Sequence, residues 1–382
     1  MCFFWGSSHI YRFLNPQITD EIFGCNTFNG GTALQHIDAS YALLKETIKS
    51  NDIKQVYLER YWTIALAIDN KERTDLTSTY VVSDYMKPSL NKLLFLLQAS
   101  SSDYYINSFL PARRYHENIF DLNYMSDVVQ NKQNKSYLNF EPTGNYVGKG
   151  FVTNEKVMSD KYIWNTFAFS SIPTNYFSKD WKEQLDDVIT LCKDKGIKLT
   201  LFTSPSMEWT VAGVGNYDVY HDYIQSIADA AGINYFDFNL LDSNIFDTKD
   251  RQYYEDEGHV NSNGANAFSH IFADVCCGNI DCENVTYDKT VNKFYSDEPF
   301  IYGLARNMNQ KDENHVDGRI ISNRLDGMNY KVAVIRDGKN EETVKEYSEG
   351  TKFSINGEYD KIVVYWNGDE LDGEERYVFD EK

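Results

Sequence analysis

The sequence predicts an α/β fold with a doubly wound, five-stranded parallel sheet, followed by a small all-β region. Two observations carry this. Short apolar runs alternate with segments whose apolar residues recur every three to four positions, the rhythm of parallel strands joined by helices. Past Cys282 that rhythm gives way to β-runs punctuated by Asp337-Gly338 and Asn367-Gly368, which are turn dipeptides.

Cys2-Phe3-Phe4-Trp5 reads as a short buried strand, with Gly6-Ser7-Ser8-His9 at its carboxyl end. Asn15-Pro16-Gln17-Ile18 opens a short helix that Gly24 closes. Cys25 to Phe28 forms the second strand and runs into Asn29-Gly30-Gly31. Ile37, Tyr41, Leu44 and Ile48 then share one helix face, and Gln55 to Leu58 is a third strand ending at Glu59-Arg60. Three strands, each followed by a helix or loop, indicate right-handed crossovers in a parallel sheet.

Between residues 62 and 160 the rhythm is lost, apart from one helix carrying Leu90, Leu93, Leu94 and Leu97. A loop-rich insertion of this length inside an α/β domain suits a lid or a substrate wall. Arg113-Arg114-Tyr115-His116 falls in it. So does Gly144-x3-Gly148-Lys149-Gly150, which lacks the spacing and the following Ser or Thr of a phosphate loop and reads as plain loop. Order returns with Trp181, Leu185, Val188, Ile189 and Cys192 on a helix stopped by Gly196. A fourth strand, Leu199 to Thr203, ends at Ser204-Pro205. A helix around Tyr220, Ile224 and Ile227, a fifth strand at Tyr235 to Phe238, and a last helix with Phe268, Phe272 and Val275 inward complete the unit. The division expected is an α/β domain over 1–283 and a β-rich domain over 284–382, in which His315 reads as solvated loop.

Composition narrows the function. The net charge of −20 argues against nucleic acid or an anionic membrane surface as partner. Aromatic residues make up 15% of the chain, with 28 Tyr; most suit core and half-buried strand positions, and a few on a cleft wall would suit sugar rings. No segment reaches the roughly 18–20 apolar residues of a membrane span. The first strand begins at the second residue with no secretory signal ahead of it, and an upstream leader or anchor is compatible with this start. Cys2, Cys25 and Cys192 read as buried thiols. Cys276-Cys277-x4-Cys282 lacks a second ligand pair for zinc and suits a local disulfide if the protein is exported.

Of the seven histidines, His36, His221 and His270 fall in helix patterns, His116 and His315 in loops, and His9 suits local packing. His259 differs, because Asp256 precedes it by three residues just before the last helix. Asp-x-x-His on a loop can bring a carboxylate to Nδ1–H, fixing the tautomer and leaving Nε2 free to take a proton. A serine hydroxyl needs such a base to act as a nucleophile. In a doubly wound sheet the loop after the first strand and the loop before the last helix share the carboxyl edge, so Ser8 and His259 can meet.

Gly6-Ser7-Ser8, Asn29-Gly30-Gly31 and Asp256-x-x-His259-x-Asn261 resemble the SGNH/GDSL hydrolase superfamily, as do Ser204-Pro205 and Asn261-x-x-Gly264. The Gly-Ser-Ser first block resembles a bacterial cell-surface branch that includes the D-alanyl transfer protein of teichoic acid modification and proteins that O-acetylate exported polysaccharides. The resemblance runs from about residue 2 to about 275, excluding the insertion. It implies a flavodoxin-like sheet, with Ser8 as nucleophile, His259 as general base and then acid, and Asp256 as the orienting carboxylate. The Ser8 and Gly31 backbone N–H groups would hold the oxyanion. The superfamily's Gly-x-Asn-Asp block is replaced by Glu59-Arg60-Tyr61-Trp62. Arg60 and Tyr61 are candidate donors in its place, and with Asn29 they are candidate substrate-binding residues. The preferred reading of Glu59 and Arg60 is a salt bridge closing the strand end.

The expected activity is that of a serine esterase or O-acyltransferase on O-acyl esters, foremost acetyl, of carbohydrate or a cell-envelope polymer. It would proceed through an acyl-Ser8 intermediate without metal, nucleotide or other cofactor. An extracytoplasmic location and a membrane-bound acyl-donor partner go with the resemblance. The alternative is a noncatalytic glycan-binding or scaffold protein on the same fold.

Overall fold

The computed structural model describes residues 1–61, 72–114, 121–134, 144–158, 172, 177–306, 315–324, 326–369, 371 and 373–380. The chain begins with β1 (Cys2–Trp5), α1 (Ser8–Phe13), α2 (Pro16–Phe23), β2 (Thr27–Asn29), α3 (Ile37–Ile48) and β3 (Gln55–Glu59). Next come α4 (Thr77–Ser83), α5 (Leu90–Ala99), α6 (Tyr105–Phe109), α7 (Pro111–Arg114), α8 (Leu122–Gln133) and the hairpin of β4 (Asn145–Gly148) with β5 (Phe151–Thr153). The α/β rhythm resumes in α9 (Lys179–Lys195), β6 (Lys198–Thr203), α10 (Glu208–Val214), α11 (Asp218–Ala231), β7 (Asn234–Asp237), α12 (Ser262–Cys277) and α13 (Thr290–Ser296). Then follow β8 (Ile301–Arg306), β9 (His315–Ser322), β10 (Met328–Ile335), β11 (Glu341–Ser348), β12 (Lys352–Asn356), β13 (Lys361–Gly368) and β14 (Glu375–Asp380).

The main sheet is parallel throughout, in the order β2-β1-β3-β6-β7. The inner strands β1, β3 and β6 are buried almost without alternation because helices cover both faces, whereas the edge strands β2 and β7 leave Phe28 and Asn234 exposed. One face is an aromatic layer in which Phe4, Tyr57 and Phe202 meet Phe272 of α12 at ring separations of 5.7, 5.3 and 4.8 Å. Truncating such a buried ring to alanine costs about 3–5 kcal/mol. On the other face α3 and α9 lie side by side, and α9 buries Trp181, Leu185, Val188 and Cys192. The chain runs outward from β1 to β2, then crosses back to β3, so the order reverses between β1 and β3. A crevice opens at the carboxyl ends of such a pair. Ser8 and Glu59 lie there.

The insertion corrects one expectation. Its described residues are largely helical rather than loop-rich, and on α5 the buried face is Asn91, Phe95, Leu96 and Ala99, whereas Leu90, Leu93 and Leu94 are exposed. Gly148-Lys149-Gly150 is the turn of the β4–β5 hairpin, with Lys149 paired to Asp20. Tyr115, His116 and Trp62 lie outside the described residues. The helix α10 escaped prediction because it is buried all round, through Trp209, Val211, Ala212 and Val214, and so shows no amphipathic stripe. His315 is on β9, bonded to Asn356 and Asp317, rather than in a loop. All six cysteines are free thiols, so the local disulfide that Cys276-Cys277-x4-Cys282 would suit in an exported protein is not formed here.

The β-rich region forms two antiparallel sheets, β11-β10-β13-β14 and β12-β9-β8. Tyr330, Val332 and Val334 face Trp366, Val364 and Ile362 across β10 and β13, burying a second apolar cluster. Ala305 and Ile321 instead join the first cluster, and Arg319 donates to the Gly213 carbonyl at 2.9 Å. Val285 and Phe294 also pack in the first cluster. Among the described residues no helix is long and apolar enough to cross a membrane.

Candidate active site

The carboxyl end of β1 turns sharply at Gly6, whose φ is 155°. A Cβ there would fall 2.7 Å from both Cβ and Oε2 of Glu59, so only glycine lets the chain fold this closely over the end of β3. Ser7 then caps α1, its hydroxyl accepting from the His9 backbone N–H. Ser8 is the first residue of the helix and is half-buried.

The partner loop precedes α12. The Glu255 N–H donates to the His259 carbonyl at 2.9 Å, and Tyr254 bridges Val260, so residues 255–259 form a tight loop with His259 at its return. Asp256 Oδ1 accepts the Gly258 and His259 backbone N–H groups at 2.8 and 2.9 Å. The same carboxylate meets His259 Nδ1 at 3.0 Å (Oδ1) and 3.1 Å (Oδ2). That makes Nδ1 the protonated nitrogen and leaves Nε2 as acceptor for the Ser8 hydroxyl, 2.7 Å away. Burial pushes the Asp256 carboxyl up, but the His259 ring and the two backbone donors outweigh it and hold the group below its ordinary value. Ser8, His259 and Asp256 therefore form one connected chain of hydrogen bonds.

Gly31 lies against the same turn: a Cβ on it would fall 2.6 Å from the Ser7 carbonyl and 2.9 Å from that of Gly6. Tyr61 is also at the site, its ring edge-on to His9 at 3.9 Å, and its hydroxyl 3.7 Å from where a Gly258 Cβ would stand. Two candidate substrate residues lie elsewhere. Asn29 is 3% exposed and donates through Nδ2 to the Ile10 and Leu14 carbonyls at 3.1 and 2.8 Å, so it fastens the end of α1. Arg60 is buried against the Trp181 ring at 5.5 Å, and its backbone carbonyl receives Thr203 and Tyr220. The expected Glu59–Arg60 salt bridge is absent for a simple reason. Successive strand residues face opposite sides of the sheet, so Glu59 meets Ser7 and His9 while Arg60 meets α9.

Sequence reasoning missed this Glu59 cluster. Its signal was available in the alternation, because Tyr57 and Glu59 share a face and the sheet order sets β3 beside β1. Nearby, Glu255 pairs with Arg12 at 3.5 Å; burial raises the Glu255 carboxyl and Arg12 opposes that. Glu255, Asp256 and His259 could offer a metal ion one donor atom each, all within 4.8 Å of one another. Their present partners are Arg12 for Glu255 and Ser8 for His259 Nε2, an arrangement suited to proton transfer from a hydroxyl.

No protein-family model and no curated protein matches the sequence. Among solved structures, a Bacteroides fragilis protein provisionally named an acylhydrolase is similar over 73% of this chain and 86% of its own, at 10% identity and a TM-score of 0.32. A modular endo-β-1,4-mannanase from Cellulomonas fimi is similar over 100% of this chain and 93% of its own, at 9% identity and a TM-score of 0.20. Likenesses of this size carry no argument about fold or chemistry, which rest on the topology and the site geometry.

Proposed function

We propose that the protein is an SGNH-type serine esterase or O-acyltransferase. The observation that carries this reading is the hydrogen-bonded sequence from Ser8 Oγ through His259 to Asp256. Ser8 Oγ attacks the ester carbonyl while Nε2 of His259 takes its proton, and Asp256 stabilises the imidazolium. The oxyanion that forms is held by the Ser8 and Gly31 N–H groups, each such donor being worth about 3 kcal/mol. His259 then protonates the departing alkoxide, leaving an acyl-Ser8 intermediate. Water or a sugar hydroxyl, activated by the same imidazole, takes the acyl group in the second half.

The favoured substrate is an O-acyl ester, foremost acetyl, of carbohydrate or a cell-envelope polymer. It would be handled outside the cytoplasm, with a membrane-bound donor supplying acyl groups if the reaction is transfer. The division into a hydrolase domain over 1–283 and an accessory β domain over 284–382 belongs to the same proposal. A noncatalytic glycan-binding role is the second reading, favoured by Glu59-Arg60-Tyr61-Trp62 standing where the superfamily carries an Asn donor. Turnover of a chromogenic acetate ester separates the two. Ser8→Ala is expected to lower it on the order of 10⁴-fold or more. Undiminished turnover in that variant removes the triad.

A further inference from the structure

We propose that Glu59 is a positioning residue for this reaction, holding the turn that carries the nucleophile from both sides. The proposal rests on the esterase reading. Ser7 and His9, the residues flanking Ser8, both bond to this one carboxylate. Oε2 accepts the Ser7 backbone N–H at 3.3 Å and the Ser7 hydroxyl at 3.2 Å, and Oε1 lies 3.4 Å from His9 Nδ1. Glu59 is 1% exposed and His9 2% exposed, so the carboxylate is satisfied by these donors rather than by bulk water.

A second observation points the same way. The room for the carboxylate exists only because residue 6 is glycine, since a Cβ there would meet Glu59 Oε2 at 2.7 Å. The turn and the carboxylate are therefore built around each other. The arrangement also reaches the base. The His9 ring, held by Glu59 and Ser7, lies 5.3 Å from the His259 ring and edge-on to Tyr61, so it forms the wall beside the imidazole. Glu59 touches neither the reacting atoms nor His259. It acts by fixing where Ser8 Oγ points and where His259 can rest, and displacements of 1 Å in such a site cost up to ~10²-fold in rate.

Glu59→Gln keeps the shape and exchanges one acceptor oxygen for an NH2, which then confronts either the Ser7 donors or the His9 ring. The experiment measures kcat and KM on a chromogenic acetate ester, normalised to the sites titrated by a fluorophosphonate. The expected result is kcat per titrated site down on the order of 10- to 100-fold, with KM within about twofold and phosphonylation slowed in parallel. Glu59→Asp, which keeps the charge, should recover part of the loss. A merely structural Glu59 would reduce the number of titratable sites and leave the rate per site unchanged; that result overturns the proposal. If Glu59→Gln does not fold, Ser7→Ala removes one donor from the carboxylate. A lower rate per site then supports the proposal and an unchanged rate overturns it. A folded wild type that neither reacts nor turns over ester overturns the esterase reading itself, whereas a reactive wild type with an unaffected E59Q overturns only the role of Glu59.

Discussion

Ser8 Oγ and His259 Nε2 stand 2.7 Å apart, although 251 residues of chain separate them. Two elements bring them together: the end of β1, at the point where the sheet order reverses, and the loop that enters α12. The strand and the helix that carry these ends pack on each other through Phe4 and Phe272, both fully buried.

Replacing Asp256 by Asn keeps the loop's size but favours the wrong tautomer of His259. Turnover per folded molecule should fall roughly 10²–10⁴-fold, measured as kcat on an acetate ester. The acid side carries a second expectation. The folded Asp256 carboxyl is depressed, so its contribution to stability is present above the ordinary carboxylate value of 3.8 and is lost as pH falls through the lower folded value. The stability difference between wild type and D256N should therefore shrink as the pH is taken below that range.

Gly30 and Gly31 are neighbours with different burdens. A Cβ on Gly30 would strike the Trp5 ring at 2.2 Å, whereas on Gly31 it would strike the Ser7 carbonyl at 2.6 Å. Gly30→Ala should act chiefly on stability, read by urea denaturation. Gly31→Ala should act chiefly on kcat, by on the order of 10²-fold, as the oxyanion role proposed for its N–H implies. Equal effects of the two on kcat per folded molecule would contradict this division.

Lys293 and Glu208 form a buried pair, each side chain 1% exposed, with Nζ 3.4 Å from Oε2. Lys293 also donates to the Asn239 carbonyl and to Thr248, both at 3.0 Å, and Tyr302 of β8 reaches Glu208. Lys293→Met leaves the carboxylate buried without its cation, a loss of about 3–5 kcal/mol. Urea denaturation measures it, and a loss under about 1 kcal/mol, the range of an exposed pair, would contradict this reading of Lys293 and Glu208 as a buried pair.

His221 gives a pH signature away from the site. Burial depresses its imidazole, but the Asp237 carboxylate at 3.0 Å outweighs burial and raises it above 6.5. A raised folded value means the stabilisation is fully present below the unfolded value and is lost as pH rises through the folded one. The stability gap between wild type and His221→Asn should be larger near pH ~5.5 than near pH ~8.5.

The periodic parts of this chain were readable in advance. Amphipathic helices such as α9 and α12 show their buried faces as 3.6-residue spacing, and Asn261 marks the start of α12 by capping it. On α3, by contrast, the burial also takes in Asp38, Ala39 and Ser40 and leaves Tyr41 and Ile48 half-buried. The pairing of Ser8 with His259 was readable because parallel topology sends both to one sheet edge. Side-chain direction at strand ends was harder. Asn29 and Arg60 have the right chemistry for a cleft, yet Asn29 turns toward the carbonyls of α1 and Arg60 toward Trp181. The faces of α5 differ from their spacing for a related reason: Leu93 and Leu94 match a stripe but are exposed, while Phe95 and Leu96 are buried, Phe95 in a cluster with Ala39, Ala42 and Val82.

The most direct test is reaction of the intact protein with a fluorophosphonate, followed by peptide mass spectrometry. A single adduct on Ser8 is expected, absent in S8A and slowed when His259 is replaced by Ala. Folded protein that stays unlabelled, or that carries its adduct on another serine, would contradict the account.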